Sequence, residues 1–204
     1  MVRIETTSLP VTGTVVATDV TPEVYREMEA TSEERHEYRN GEIIKMPGSS
    51  EVHSAIACNL LIYLGFLLRD TDFRLYNSNL RLSIPAYNSG TYTDVMVVQG
   101  SPEFNGNRTD EIVNPLLIIE VLSPSTEAYD RGDKFRKYRS LASFFEYLLV
   151  SQVEPYVEQY HKPLGETNVS WQWQVYEQLT QSVLLHSLNL ELPLTEIYRR
   201  IDFT

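Results

Sequence analysis

The sequence predicts an α/β domain in which a central mixed β-sheet is flanked by helices, and three features support this fold class. Apolar side chains recur every three or four positions over residues 51–69, which indicates an amphipathic helix. Two apolar runs without alternation, at 93–98 and 115–122, are typical of strands covered on both faces. A helical pattern and another apolar strand follow the second run, which is the order that joins parallel strands. The chain has 204 residues and is expected to form one domain, 1–204.

The N-terminal elements follow from turn and cap signals. Residues 1–19 are expected to be a loose arm, and a threonine cap with a proline in the first turn predicts a short helix at 21–30. Asn40-Gly41 predicts a β-hairpin over 34–46, because this dipeptide adopts the tight turn that joins antiparallel strands. Serine caps precede the helix at 51–69, whose apolar face should pack across the sheet.

The remaining elements alternate strands with one helix. Strands are predicted at 73–77, 80–84, 93–98, 115–122 and 145–150, with a helix at 129–141 between the last two. From 154 to 204, aromatic or aliphatic residues alternate with polar ones, which predicts an antiparallel C-terminal extension of the sheet that ends in a short helix at 195–199. The alternating strands of this extension, near 156–160 and 171–176, are a candidate surface for a homodimer.

The composition is typical of a globular protein, with 42% apolar and 22% charged residues. No run approaches the roughly 18 consecutive apolar residues that a membrane span needs, and the N-terminus lacks the features of a secretory signal. We therefore expect a cytoplasmic protein without a membrane segment. Cys58 is the only cysteine, which excludes an intrachain disulfide framework, and we expect it to be a small buried apolar residue.

The charge pattern restricts how the chain could bind nucleic acid. The net charge is −11, whereas binding to phosphates depends on Lys and Arg displacing counterions. Residues 131–139 carry five basic residues against one acidic, so they are the candidate phosphate-binding segment. The alternative for these residues is an ordinary solvated helix face.

Several catalytic motifs are absent from the sequence. It contains no Gly-x-Gly-x-x-Gly fingerprint, no phosphate-binding Gly-Lys-Ser/Thr loop and no Gly-x-Ser-x-Gly elbow. His36-Glu37 begins like a zinc-protease motif, but Asn40 stands where the second histidine would be. Nucleotide cofactors and serine hydrolysis are therefore poorly supported.

An acidic residue lies in or beside each of the two most apolar strands. Asp94 begins the first strand, and Glu120 stands between Ile119 and Val121 in the second. Burial of an ionised carboxylate costs several kcal/mol unless a cation or hydrogen-bond donors compensate it. A bound cation would explain the pair, and hard oxygen ligands suit Mg²⁺ or Mn²⁺. The alternatives are a structural ion pair or strand ends that reach solvent.

The residues around this pair resemble a known family. Thr93-Asp94-Val95, the string Glu-Val-Leu-Ser-Pro-Ser-Thr that starts at Glu120, and Asp-Arg-Gly-Asp-Lys at 130–134 with Tyr138 are similar to motifs of the Uma-two family of endonucleases. That family belongs to the PD-(D/E)XK superfamily. The resemblance covers about 21–151 and implies a restriction-endonuclease-like fold and metal-dependent hydrolysis of phosphodiester bonds in DNA.

The resemblance also implies roles for individual residues. Asp94 and Glu120 would bind the metal, and Glu42 would complete the acidic cluster. The sequence departs from the superfamily motif at two positions: Thr93 replaces the usual proline, and Leu122 replaces the lysine expected two residues after the acid.

Lys134 is the candidate replacement for the missing lysine. Because Asp130, Lys134 and Tyr138 are spaced four residues apart, they should share one helix face, with Lys137 off that face. The expected catalytic set is thus Glu42, Asp94, Glu120 and Lys134. The alternative for Lys134 is an ordinary helix ion pair with Asp130.

Five further residues are candidates for contact with substrate. They are His53, at the start of the long helix, and Arg131, Arg136, Lys137 and Tyr138. The alternative function is a catalytically inactive module that keeps the fold and binds nucleic acid or protein. Its acidic residues would then form structural ion pairs. The strongly acidic net charge favours this alternative, because an acidic protein binds DNA poorly.

Overall fold

A computed structural model describes residues 13–163 and 170–203. Its strands are β1 (Thr14–Ala17), β2 (His36–Arg39), β3 (Glu42–Lys45), β4 (Phe73–Asn77), β5 (Arg81–Ile84), β6 (Ser89–Tyr92), β7 (Val95–Gln99), β8 (Glu111–Ile112), β9 (Leu117–Leu122), β10 (Glu146–Ser151), β11 (Val157–His161), β12 (Gln172–Tyr176), β13 (Ser182–Leu185) and β14 (Leu190–Pro193). Its helices are α1 (Pro22–Thr31), α2 (Glu51–Leu68), α3 (Glu127–Tyr129), a π-helical turn (Asp130–Lys134), α4 (Phe135–Tyr138) and α5 (Leu194–Ile197), with a 3₁₀ turn at Pro85–Tyr87.

The central sheet is mixed, as the sequence predicts. Its strand order is β12-β11-β10-β9-β7-β4. β9 and β10 are parallel, which confirms the strand, helix, strand crossover, and the other neighbouring pairs are antiparallel. β11 and β12 extend the sheet from β10, as expected for the C-terminal extension.

A second sheet has the order β1-β3-β2-β6-β5-β8. The predicted hairpin forms around Asn40 and Gly41, whose positive φ angles of 46° and 102° suit the tight turn. Three of the strands were not predicted. The expected loose arm is wrong at β1, which pairs with β3, for example Thr14 with Lys45. Residues 1–12 of that arm lie outside the described residues.

The central sheet is covered on both faces. Side chains of β7 and β9 alternate between two apolar cores, as strand geometry requires. One core contains Val95, Val97, Ile119 and Val121 and is covered by α2 and the C-terminal elements. The other contains Met96, Val98, Ile118 and Leu122 and is covered by β5, β8 and the helical segment 127–138. Glu120 belongs to the second face, because it alternates with Ile119 and Val121.

Helix α2 confirms the longest predicted element. The Ser50 hydroxyl caps it by accepting a hydrogen bond from the His53 N–H at 3.1 Å, and its buried side chains face the first core: Ile56, Leu60, Leu64 and Leu68. The prediction for Cys58 is wrong, since this residue lies on the exposed face. By length and composition alone α2 is apolar enough to cross a membrane, a composition that a core helix also has.

Candidate active site

An open cleft of about 720 Å³ lies where the two sheets, the start of α2 and the helical segment 127–138 meet. Its walls include the segment from Lys45 to Ser50 and the segment from Ser123 to Thr126. Asp94, Glu120, Asp130, Lys134 and His53 all line this cleft. The residues that the sequence singles out in four separate stretches are thus brought together at one place.

Asp94 and Glu120 lie at neighbouring strand positions. Val95 pairs with Ile119, so the residue before β7 lies opposite Glu120. The Asp94 Oδ2 atom accepts a hydrogen bond from the Val121 N–H at 2.7 Å, which fixes the aspartate at the strand end. The His53 Nε2 atom is 3.3 Å from the same oxygen. Burial lowers the pKa of His53, but the Asp94 carboxylate outweighs this effect and raises it above its usual value.

Glu120 is buried, with 3% of its surface exposed. Its Oε1 atom accepts hydrogen bonds from the Lys134 ammonium at 3.1 Å and from the Tyr138 hydroxyl at 2.8 Å. Burial raises the pKa of Glu120 to about 8, and the positive charge of Lys134 offsets only part of this effect. The Glu120 carboxylate is therefore held in a site where its negative charge is incompletely compensated.

Lys134 lies beside Glu120 and among three carboxylates. Its ammonium lies 3.1 Å from Glu120 Oε1, 3.1 Å from Asp130 Oδ1 and 3.9 Å from Glu37 Oε1. Burial lowers the pKa of Lys134, but the surrounding carboxylates raise it well above its usual value, so the side chain is a cation. Leu122 is buried in the apolar core on the same face as Glu120, and the lysine reaches this face from the π-helical turn instead.

The acid that sequence reasoning missed is Glu37, on β2. It is buried, with 4% of its surface exposed. Its Oε1 atom accepts a hydrogen bond from the Thr91 hydroxyl at 2.6 Å, and its Oε2 atom accepts bonds from Arg39 at 2.6 and 2.8 Å. Burial raises the pKa of Glu37, but Lys134 and Arg39 lower it below its usual value. No local signal marks Glu37, because only the folded chain brings strand β2 beside the helical segment that carries Lys134.

Other predicted site residues lie elsewhere. Glu42 begins β3 and is not among the residues that line the cleft, so its role as a third ligand stays a prediction. Arg131 forms ion pairs with Glu127 and Glu158, and Arg136 pairs with Asp133. Neither arginine lines the cleft, and their contact with substrate also stays a prediction.

Two further candidates for substrate contact, Lys137 and Tyr138, are buried. The Lys137 ammonium contacts the Tyr129 hydroxyl at 3.3 Å. Tyr138 is completely buried and donates its hydroxyl hydrogen to Glu120, so it supports the site from the protein side. Of the five candidates, His53 is the one that faces the cleft.

The donor atoms suit a hard divalent cation held by few protein ligands. Both described hydrogen bonds of Glu120 end on Oε1, so its Oε2 atom has no hydrogen bond among the described residues. Asp130 Oδ1 is buried, and its described partner is the Lys134 ammonium at 3.1 Å. In the part of the chain that the structure describes, no three His, Cys, Asp or Glu side chains form a preformed metal cluster. Two carboxylates are a donor set typical of an open site for a divalent cation rather than of a closed structural site.

Comparisons with known proteins agree with this geometry. Two proteins of Synechocystis sp. (strain ATCC 27184 / PCC 6803 / Kazusa) are similar: slr1290 is 36% identical over 185 residues, 90% of this chain and 94% of that protein, and sll1609 is 37% identical over 150 residues, 72% and 85% respectively. The crystal structure of a "putative nuclease belonging to DUF820" from Anabaena variabilis ATCC 29413 has a TM-score of 0.69 at 20% identity and covers 88% of this chain and 97% of that chain.

The structural similarity shows a restriction-endonuclease-like fold, as the sequence predicts. The Uma2 family, described as "Putative restriction endonuclease", matches residues 22–195. Since this match spans most of the chain, the protein belongs to the Uma2 family.

Proposed function

We propose that the protein is an endonuclease that requires Mg²⁺ or Mn²⁺ and hydrolyses phosphodiester bonds in DNA. Membership of the Uma2 family supports a nuclease. The observation that carries the proposal is the Lys134 ammonium 3.1 Å from the Glu120 carboxylate, in the cleft that Asp94 also lines. Lys134 thereby supplies the cation that the motif would otherwise lose at Leu122.

Each residue of the site has a distinct part in the proposed reaction. Asp94 and Glu120 would hold the divalent cation, and the chemistry that it would supply is Lewis-acid activation of the phosphodiester. The Lys134 ammonium lies at the cleft wall, where it stabilises the negative charge that develops on the phosphate during hydrolysis. Tyr138 fixes the orientation of Glu120 through its hydrogen bond. His53 faces the cleft as a polar contact for substrate.

The cleft rim offers groups that suit a phosphate backbone. Arg35 and Lys45 line the cleft, Lys45 in an ion pair with Glu34, and so do Ser123, Ser125 and Thr126 with their hydroxyl groups. These groups contact phosphates without reading bases, so the proposed substrate is DNA recognised mainly through its backbone. A homodimer through the exposed edge strand β12, where 60% of the Trp173 surface is exposed, stays a prediction.

Cleavage of supercoiled plasmid DNA with Mg²⁺ or Mn²⁺ tests the proposal. We expect the wild type to nick and linearise the plasmid and Glu120→Gln to lose about a thousandfold in rate, because loss of a transition-state electrostatic group has effects of this order. Chelation of the cation should abolish cleavage.

The matched control is Glu103→Gln, an exposed glutamate outside the cleft, which should cleave like the wild type. Equal cleavage by the wild type and Glu120→Gln would reject this mechanism. If no cation-dependent cleavage is found but Mn²⁺ or DNA still binds, the catalytically inactive binding module would replace the nuclease.

A further inference from the structure

Lys134 is surrounded by more carboxylates than one ammonium requires. Asp130 and Glu120 are each 3.1 Å from it, and Glu37 is 3.9 Å away. Glu120 and Asp130 line the cleft, but Glu37 does not. Glu37 therefore lies behind Lys134, on the protein side, where it cannot act as a ligand for anything that enters the cleft.

Glu37 is itself held rigidly. Both guanidinium contacts from Arg39 and the hydroxyl contact from Thr91 fix its two oxygens. The Arg39 guanidinium also stacks over the Tyr129 ring, with 3.8 Å between its carbon and the ring centroid. The hairpin strand β2 and the helical segment 127–138 are thus joined through Arg39 and Glu37 directly behind Lys134.

A cation in the site would change what holds Lys134. If Glu120 binds a divalent cation, the repulsion between that cation and the Lys134 ammonium offsets the attraction between Glu120 and Lys134. Asp130 and Glu37 are then the two remaining anions beside Lys134. Of these two, Asp130 lines the cleft and Glu37 does not.

We infer that Glu37 is a positioning residue, which keeps the Lys134 ammonium in place once a divalent cation occupies Glu120. The inference rests on the proposed function. Glu37 touches neither substrate nor cation, and it acts only through Lys134. Its negative charge is the essential property, because the hydrogen bond from Thr91 can persist with a neutral amide in its place.

Cleavage kinetics of Glu37→Gln give the first test. We expect kcat to fall about tenfold to a hundredfold with little change in KM, since displacement of a catalytic group by about 1 Å has effects of this size. Glu37→Asp retains the charge and should recover part of kcat. The matched control, Glu29→Gln, changes another buried glutamate, which bonds to His36 and Tyr92 and should leave kcat unchanged.

Nitrogen-15 NMR of the lysine ammonium groups gives a readout that does not depend on activity. An ammonium held in ion pairs is protected from exchange with water, so wild-type Lys134 should give a resolved Nζ signal with and without saturating Mg²⁺. In Glu37→Gln the signal should persist without Mg²⁺ and be lost with it. Thr91→Val serves as a second variant if Glu37→Gln proves unstable. It removes one hydrogen bond to Glu37 but keeps the charge, so it should weaken the Lys134 signal less than Glu37→Gln does.

The two measurements separate the inference from the proposed function. A Lys134 signal that stays equally protected in Mg²⁺-saturated Glu37→Gln would overturn the inference even if the wild type cleaves DNA. Failure of the wild type to cleave would reject the nuclease while the NMR comparison still decides the role of Glu37.

Discussion

Glu120 and Glu146 lie on adjacent parallel strands of the same sheet and are both buried, with 3% and 0% of their surfaces exposed. Glu146 accepts hydrogen bonds from Gln159 Nε2, from the His186 and Ser187 N–H groups and from the Ser187 hydroxyl. All of these donors are neutral amide, backbone N–H or hydroxyl groups. Glu120 has one ammonium and one phenol as donors and opens onto the cleft.

The donors around a buried glutamate decide whether it has a structural or a functional role. Glu146 is satisfied by donors that come from β11 and from the turn between β13 and β14, so it fastens the C-terminal hairpin to the central sheet. The negative charge of Glu120 is only partly compensated by Lys134, and burial raises its pKa to about 8. A buried acid that the fold satisfies completely is structural, whereas one that the fold leaves incomplete is ready to bind a cation.

The largest expected effect is on catalysis at the cleft. Lys134→Met should lower the rate of DNA cleavage about a hundredfold to a thousandfold, about 3–4 kcal/mol, because it removes the positive charge that stabilises the reacting phosphate. Single-turnover cleavage at saturating Mg²⁺ measures the chemical step directly. Lys162→Met changes a lysine that lies beside Trp171, away from the cleft, and should retain the wild-type rate. A Lys134→Met rate within threefold of the wild type would contradict the assigned role.

The next effect is on stability, at the other glutamate. Glu146→Ala should lower the free energy of unfolding by about 2–3 kcal/mol, because it leaves the partly buried backbone donors of His186 and Ser187 without their acceptor. Urea denaturation measures the loss, and the cleavage rate per folded molecule should stay near that of the wild type. If Glu146→Ala keeps its stability but loses activity, Glu146 has a functional role and the structural role assigned to it is wrong.

The sequence revealed one of these glutamates and concealed the other for a physical reason. Glu120 interrupts a continuous apolar run, so its burial could be anticipated. Glu146 lies at the start of the predicted strand at 145–150, where a charged residue is ordinary. Its donors come from positions 13 to 41 residues further along the chain, and only the folded hairpin brings them to it.

The same distinction explains which elements could be predicted. Helix α2 carries its own periodicity, strands β7, β9 and β10 are apolar runs in the sequence, and the hairpin carries its own turn signal. β6 (Ser89–Tyr92) lacks apolar alternation and β8 has only two residues, so both are strands because of what they pair with. Lys134 was found because of the family motif, whereas Glu37 required the register of β2 against β6 and the position of the helical segment.

A smaller stability effect distinguishes Glu120 from Glu146 by its pH dependence. The pKa of Glu120 rises from 4.5 to about 8 on folding, so the folded protein binds more protons than the unfolded chain between these values. The free energy of unfolding therefore falls as pH rises through this window. Glu120→Gln removes the titration, so at pH 8 without divalent cation it should be more stable than the wild type, with little difference at pH 4.5. Urea midpoints in chelator at the two pH values measure this, and parallel pH dependence in both proteins would argue against a destabilised Glu120.

The smallest effect comes from the histidine beside Glu146. The rings of His186 and His161 stack with 3.7 Å between centroids. Burial and the neighbouring His161 lower the pKa of His186, although the Glu146 carboxylate opposes them. Because the folded pKa lies below that of the unfolded chain, protonation favours unfolding, and stability falls as pH decreases below about 6.5. His186→Gln should reduce this acid-side loss by a few tenths of a kcal/mol, since the ring is only partly buried and solvent screens its charge. Urea midpoints at pH 7.5 and 5.5 test the effect. An equal loss in both proteins would show that the paired histidines do not contribute, and that the acid-side stability of this region depends on the carboxylates alone.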